Sequence, residues 1–235
     1  MATGAQQKSD GPLPILLLVL TFVTGLIDAV SFFRFDHVFV ANMTGNIVFL
    51  AFAVADTREF SIAASSIALA GFLAGALVGG RLGNAYGSHR GRYLALALAL
   101  SALIFGVATI GAAVFPQAED AWTRYLIVAL LAIAMGVQTA AARRLSVPDL
   151  TTTVLTLTLT AFAADSRWAG GGSPRPLQRI AAVVTMFAGA ALGATMVLQL
   201  NTAVVIGLAF LVVVAAAAIA LQFRKSTEPW TMAAR

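Results

Sequence analysis

Six long apolar runs divide the chain, at residues 13–33, 61–81, 93–115, 122–142, 177–200 and 202–223. Each is close to the roughly 20 residues that a helix needs to cross the hydrocarbon of a bilayer. The pattern predicts an all-α polytopic membrane protein. Two further apolar stretches are different. They open on polar, helix-breaking residues, Ala41-Asn42-Met43-Thr44-Gly45-Asn46 and Pro148-Asp149-Leu150-Thr151-Thr152-Thr153. The apolar or Thr-rich residues that follow, 47–55 and 154–164, are too few for an ordinary span.

The interruptions fall at corresponding places in two halves. Val40-Ala41-Asn42-Met43-Thr44 parallels Val147-Pro148-Asp149-Leu150-Thr151, and both short stretches end in Ala-Asp. Ile62-Ala63-Ala64 with Gly71 and Gly75 parallels Ile180-Ala181-Ala182 with Gly189 and Gly193 at one spacing. The expected organisation is a tail (1–12), a first membrane repeat (13–115), a second (116–223) and a second tail (224–235). Each repeat reads as span, half-length segment, span, span. Three crossings per repeat is an odd number, so the halves have opposite orientation, the inverted-repeat plan of many secondary transporters.

Whether the two short segments cross or turn back can be tested on Lys and Arg, which collect in short cytoplasmic loops. If all eight segments cross, nine basic residues face six. If only the six long runs cross, twelve face Arg34, Arg58 and Arg124. The second division is the strongly biased one. It predicts six transmembrane helices, two re-entrant or half-length helices and both termini in the cytoplasm, with eight full crossings as the alternative.

Composition agrees. Hydrophobic residues make up 60% and charged residues 11%, which leaves no room for a large soluble domain. The net charge of +5 is spread singly or in pairs between apolar runs, as topology signals are, and does not form a nucleic-acid face. There is no cysteine, hence no disulfide or thiolate chemistry. No catalytic, metal-ligand or cofactor motif occurs, and His37 and His89 lie far apart in sequence. The expectation is a protein without enzymatic activity, cofactor or metal, whose partner is the lipid bilayer.

Non-helical backbone inside hydrocarbon is tolerated only against protein or a water-filled cavity. Asn42, Thr44, Gly45 and Asn46 suit such a stretch: Gly45 allows unusual dihedrals or close approach, and Asn or Thr can cap the helix that follows. The N-terminus of that helix would face the membrane centre with its partial positive charge, and Asp149, Thr151 and Thr152 would do the same from the other side. Opposed helix N-termini favour an anion, a carboxylate or a polar neutral solute, so these seven residues are the substrate-binding candidates. The plain alternative is that they cap and pack two tilted helices.

Asp28 is the one acid within a long run, and an intramembrane carboxylate is by default a functional candidate, here for proton coupling. Otherwise it bonds to Ser31 or pairs with Arg34. Gln138 occupies a similar place near the end of its run, as a neutral counterpart. Gly71, Gly75 and Gly79 recur every four residues, a close-packing face that could also serve a homodimer. Thr156, Thr158 and Thr160 alternate with Leu, but a lone strand is unsatisfied in lipid, so a helix with back-bonded hydroxyls is expected.

The run Gly25-Leu26-Ile27-Asp28-Ala29-Val30-Ser31-Phe32, followed by Val38-Phe39-Val40-Ala41-Asn42-Met43-Thr44-Gly45-Asn46, resembles the YoaK family of small bacterial inner-membrane proteins. The resemblance covers roughly residues 14–223. In the second half a Thr-Gly pair is usual in that family, where this chain has Thr152-Thr153 and Thr156-Leu157. The resemblance implies a multi-pass inner-membrane protein, often described as a permease, with no established substrate. The leading functional expectation is a secondary transporter of a small polar or anionic solute. A channel-like facilitator and a non-transporting membrane scaffold are the alternatives.

Overall fold

The computed structural model describes residues 10–55, 59–115, 120–147, 155–172 and 175–232. Within them the chain forms α1 (Leu13–Arg34), α2 (Met43–Val54), α3 (Ile62–Tyr86), α4 (Arg90–Val114), α5 (Ala121–Leu145), α6 (Leu155–Ala164), α7 (Pro176–Gln199) and α8 (Thr202–Gln222). Six of these helices are long and apolar enough to cross a membrane. The other two, α2 and α6, have 12 and 10 residues. At 1.5 Å per residue they reach only about 18 and 15 Å, against about 30 Å of hydrocarbon.

Local chemistry sets several of the helix starts. Ser61 accepts the Ala64 N–H (3.1 Å) at the head of α3, and Asp120 accepts the Thr123 N–H (3.1 Å) at the head of α5. The bonds from Thr123 hold the Asp120 carboxyl below the usual carboxylate range. The Thr-rich segment is helical, and Thr160 donates to the Thr156 carbonyl at 2.8 Å.

Packing follows a two-fold pattern that exchanges the repeats. The first span of each repeat lies against the third element of the other: α1 runs along α7, and α5 along α3. In the same way α4 packs on α5 as α8 packs on α1, α4 and α8 pack on each other, and each half-length helix leans on the span that follows it. Glycines make the closest crossings possible. A methyl group on Gly75 would collide with the Ile133 carbonyl, and one on Gly189 with the Phe22 carbonyl. The stripe Gly71, Gly75 and Gly79 is therefore filled by α5 of the same chain. The sequence expectation of a homodimer face there is corrected: small residues at that spacing call for a close partner helix, and the opposite repeat supplies it.

The crossings also give the register between repeats. Gly71 and Gly75 stand on Ala129 and Ile133, as Gly189 and Gly193 stand on Phe22 and Leu26. In that register Asp28 is matched by Met135, and Gln138 is matched by Ser31. The expected pairing of Asp28 with Gln138 is thus off by one helical turn.

Contacts at the helix ends decide how many segments cross. Arg90, at the start of α4, donates to Asp10 ahead of α1 (3.2 Å), to the Leu145 carbonyl at the end of α5 (2.6 Å) and to the Trp230 carbonyl after α8 (3.3 Å). Both ends of the described chain, the start of α4 and the end of α5 therefore share one face. On the other face Arg124, at the start of α5, pairs with Asp36 beyond the end of α1 (3.3 Å). Eight crossings would put Arg90 on the face opposite Asp10 and Trp230, and Arg124 on the face opposite Asp36. Six crossings satisfy them all, so α2 and α6 turn back.

Candidate functional site

The site is built on the way into α2. After α1 ends at Arg34 the chain doubles back, so that Val40 and Ala41 lie beside Asp28. The Asp28 side chain is 5% exposed, and its Oδ1 accepts both backbone N–H groups, at 3.0 and 2.8 Å. Asp28 lies six residues before Arg34, which puts α2's entrance about 9 Å inside the end of α1. A carboxylate taking two N–H bonds is a strong, charge-assisted clasp. The alternatives read from sequence for Asp28 do not occur: Ser31 Oγ donates to the backbone carbonyl of Asp28, and Arg34 donates to the Val197 carbonyl.

The motif residues divide into two roles. Asn46, buried, is bonded twice to one residue: its Oδ1 accepts the Phe39 N–H (2.8 Å) and its Nδ2 donates to the Phe39 carbonyl. It holds the incoming strand of the turn as a β-ladder neighbour would. Gly45 is required by contact, since a methyl there would meet the Phe39 ring at 2.8 Å. Asn42 caps α2 by accepting the Gly45 N–H (3.4 Å). Asn42 and Thr44 are exposed. The N–H groups of Met43 and Thr44 have no acceptor among the described residues, as first-turn amides commonly do. Two free donors and an N-terminal dipole end thus sit below the level of the α1 terminus, able to accept an anion or a polar oxygen.

The far end of α2 is fastened by aromatic rings. Phe49 stacks on Phe60 (4.7 Å) and contacts Phe39, which stacks on Phe32 (both 5.4 Å). Phe60 precedes α3, yet His37, just after α1, lies 6.2 Å from its ring, and both line one depression of about 410 Å³. The start of α3 is therefore on the face where α1 ended. Seven of the fifteen phenylalanines fall between residues 32 and 60, a clustering legible in the sequence.

The second half-length helix is fastened by charge. Arg179 of α7 is 6% exposed, donates to the Ala161 carbonyl in the last turn of α6 (2.6 Å) and pairs with Asp165 (2.8 Å). A cation at a helix C-terminus also meets its negative dipole end. In the sequence Arg179 is one of the twelve basic residues on the N-terminal side and nothing local marks it as a helix fastening. The candidates Asp149, Thr151 and Thr152 lie outside the described residues. Of the sequence-derived set, the structure brings Asp28, Asn42, Gly45 and Asn46 together around one turn, with Thr44 on its open side.

Comparison with known proteins agrees with this architecture. The family described as "Protein of unknown function (DUF1275)" matches residues 16–218. The chain is similar to the UPF0700 transmembrane protein YoaK of Bacillus subtilis (strain 168), with 33% identity over 154 residues, 64% of this chain. That match spans 65% of the relative's length. No solved structure matches.

Proposed function

Because the chain belongs to the DUF1275 family of multi-pass membrane proteins, which has no assigned activity, we propose from its own geometry that it is a secondary transporter of a small polar or anionic solute. One observation carries the proposal: a half-length helix begins inside the membrane with free amide donors, clasped by an intramembrane carboxylate. Irregular backbone at that depth is tolerated only where it is buried in protein or lines a water-filled cavity, and the exposed Asn42 and Thr44 favour a cavity on the open side of this turn. In this reading Asn42, Thr44, Gly45 and Asn46 form one half of the solute site. Asp149, Thr151 and Thr152, the matching positions of the second repeat, form the other.

Alternating access moves the two half-length helices against the paired long spans. Proton coupling enters through Asp28. As a carboxylate it holds Val40 and Ala41; protonation weakens both bonds and frees the turn to shift. The twelve-to-three division of basic residues orients the N-terminal face toward the cytoplasm of a bacterial inner membrane.

The test is solute flux into proteoliposomes driven by a pH gradient, for the native chain and for Asp28→Asn. Saturable flux that responds to the gradient, and loses that response in Asp28→Asn, supports coupled transport. Flux that never saturates would favour the channel-like facilitator.

A further inference from the structure

Gln138, on α5, is 1% exposed, and neither its Oε1 nor its Nε2 has a hydrogen-bond partner among the described residues. The next residue, Thr139, also has a buried hydroxyl without a partner among the described residues. The large majority of buried side-chain polar atoms are bonded in folded proteins, and leaving a carboxamide unpaired is costly. Two adjacent orphans within a membrane helix therefore need an explanation.

Thr139 makes the case sharper. Thr21, Thr24, Thr109, Thr160 and Thr195 each donate to the carbonyl four residues back, at 2.8–2.9 Å. That bond is the default for a threonine in a membrane helix. Thr139 forgoes it, so its hydroxyl remains available, as does the Gln138 amide.

Their position matters as well. Gln138 lies seven residues before the end of α5, about 10 Å in from the N-terminal face. Asp28 lies about 9 Å in from the opposite face, on the other central span. Asp28 is committed to Val40 and Ala41, whereas the Gln138 carboxamide has no partner among the described residues. We infer that Gln138 and Thr139 form a solute-contact position reached from the N-terminal face. It takes an uncharged group that can both donate and accept hydrogen bonds, such as a hydroxyl or a carboxamide. A carboxamide offers two donors and one acceptor, and a threonine hydroxyl one donor and an acceptor, which matches such a group and gives a charged one no counter-ion. The inference rests on the transporter reading above and adds to it a second contact point of neutral chemistry.

The absence of native cysteine makes the test direct. Single cysteines at Gln138, Thr139, Thr44 and Leu131 are introduced into the full chain in proteoliposomes and exposed to a small impermeant methanethiosulfonate. Leu131, fully buried on the same helix, is the dry control. Thiolate chemistry needs water, so Gln138→Cys and Thr139→Cys are expected to react at least about tenfold faster than Leu131→Cys. Glycerol or urea is expected to slow them. If Gln138→Cys does not fold, Thr139→Cys, which is less buried, carries the test alone. Reaction without slowing by either probe would mean a structural water only and overturn the solute contact. Unreactive Gln138→Cys and Thr139→Cys beside a reactive Thr44→Cys would overturn this inference and leave the transporter reading standing. If Thr44→Cys is unreactive too, both fail.

Discussion

Arg124, the fourth residue of α5, places its guanidinium 3.3 Å from the carboxylate of Asp36, two residues beyond the end of α1. The pair is partly exposed, and exposed pairs contribute only about 0–1 kcal/mol to stability. Its value is topological. It requires an even number of crossings between the end of α1 and the start of α5, which α3 and α4 already provide. The intervening α2 must return to the face it left.

The Asp28 clasp predicts an order of stabilities. Asp28→Asn keeps an oxygen acceptor for Val40 and Ala41 and loses the charge assistance, a loss of about 1–2 kcal/mol. Asp28→Leu leaves two buried N–H groups without an acceptor, a loss of about 2–5 kcal/mol. Thermal unfolding in detergent should rank native above Asp28→Asn above Asp28→Leu. Equal melting temperatures for the two variants would mean that the carboxylate does not hold the turn.

Two glycines of α3 provide an internal control. A methyl group on Gly75 collides with the Ile133 carbonyl, whereas one on Gly80 meets nothing within 4 Å. Gly75→Ala should destabilise by about 1–3 kcal/mol through forced separation of α3 from α5. Gly80→Ala should be neutral or stabilise by up to about 1 kcal/mol through helix propensity. Unfolding of the two variants side by side checks the crossing without reference to function.

Arg179 should act as the fastening of α6. Arg179→Met removes the bonds to Ala161 and Asp165, and the last turn of α6 should then open more readily, by about 1–3 kcal/mol. Hydrogen exchange over residues 155–164 should speed up while exchange in α1 is unchanged. Asp165→Asn, which removes only the partly exposed partner, should have the smaller effect.

Asp120 predicts a pH dependence at the head of α5. Its carboxyl is held low in the folded chain, so its contribution is fully present above the unfolded value near 4 and is lost as pH falls through the lower folded value. The protection of the first-turn amides of α5, relative to their intrinsic exchange rates, should therefore fall on acidification below about pH 4, and Asp120→Asn should remove that pH dependence.

Much of this was legible in the sequence because the bilayer imposes simple rules. Span length, the short polar-headed segments and the bias of Lys and Arg each follow from hydrocarbon thickness or surface charge, and together they specified six spans and two returns. Gly45 was recognisable as a close-approach position, although its partner, Phe39, was not. What escaped were choices of partner. Gly71, Gly75 and Gly79 announce a close helix but do not say whose, and the answer lay in the other repeat. Asp28 was legible as costly, yet its bonds to Val40 and Ala41 depend on a chain reversal that no local pattern encodes. The freedom of Gln138 and Thr139 is likewise a matter of tertiary surroundings. Asp149, Thr151 and Thr152 lie outside the described residues.

The central claim, that α2 enters and leaves by one face, is tested most directly by single cysteines at His37, Glu59 and Ser226 in intact cells, probed with an impermeant maleimide before and after permeabilisation. His37→Cys and Glu59→Cys are expected to share one accessibility and Ser226→Cys to show the opposite one. Glu59→Cys labelling together with Ser226→Cys, and apart from His37→Cys, would show that α2 crosses the bilayer and does not return.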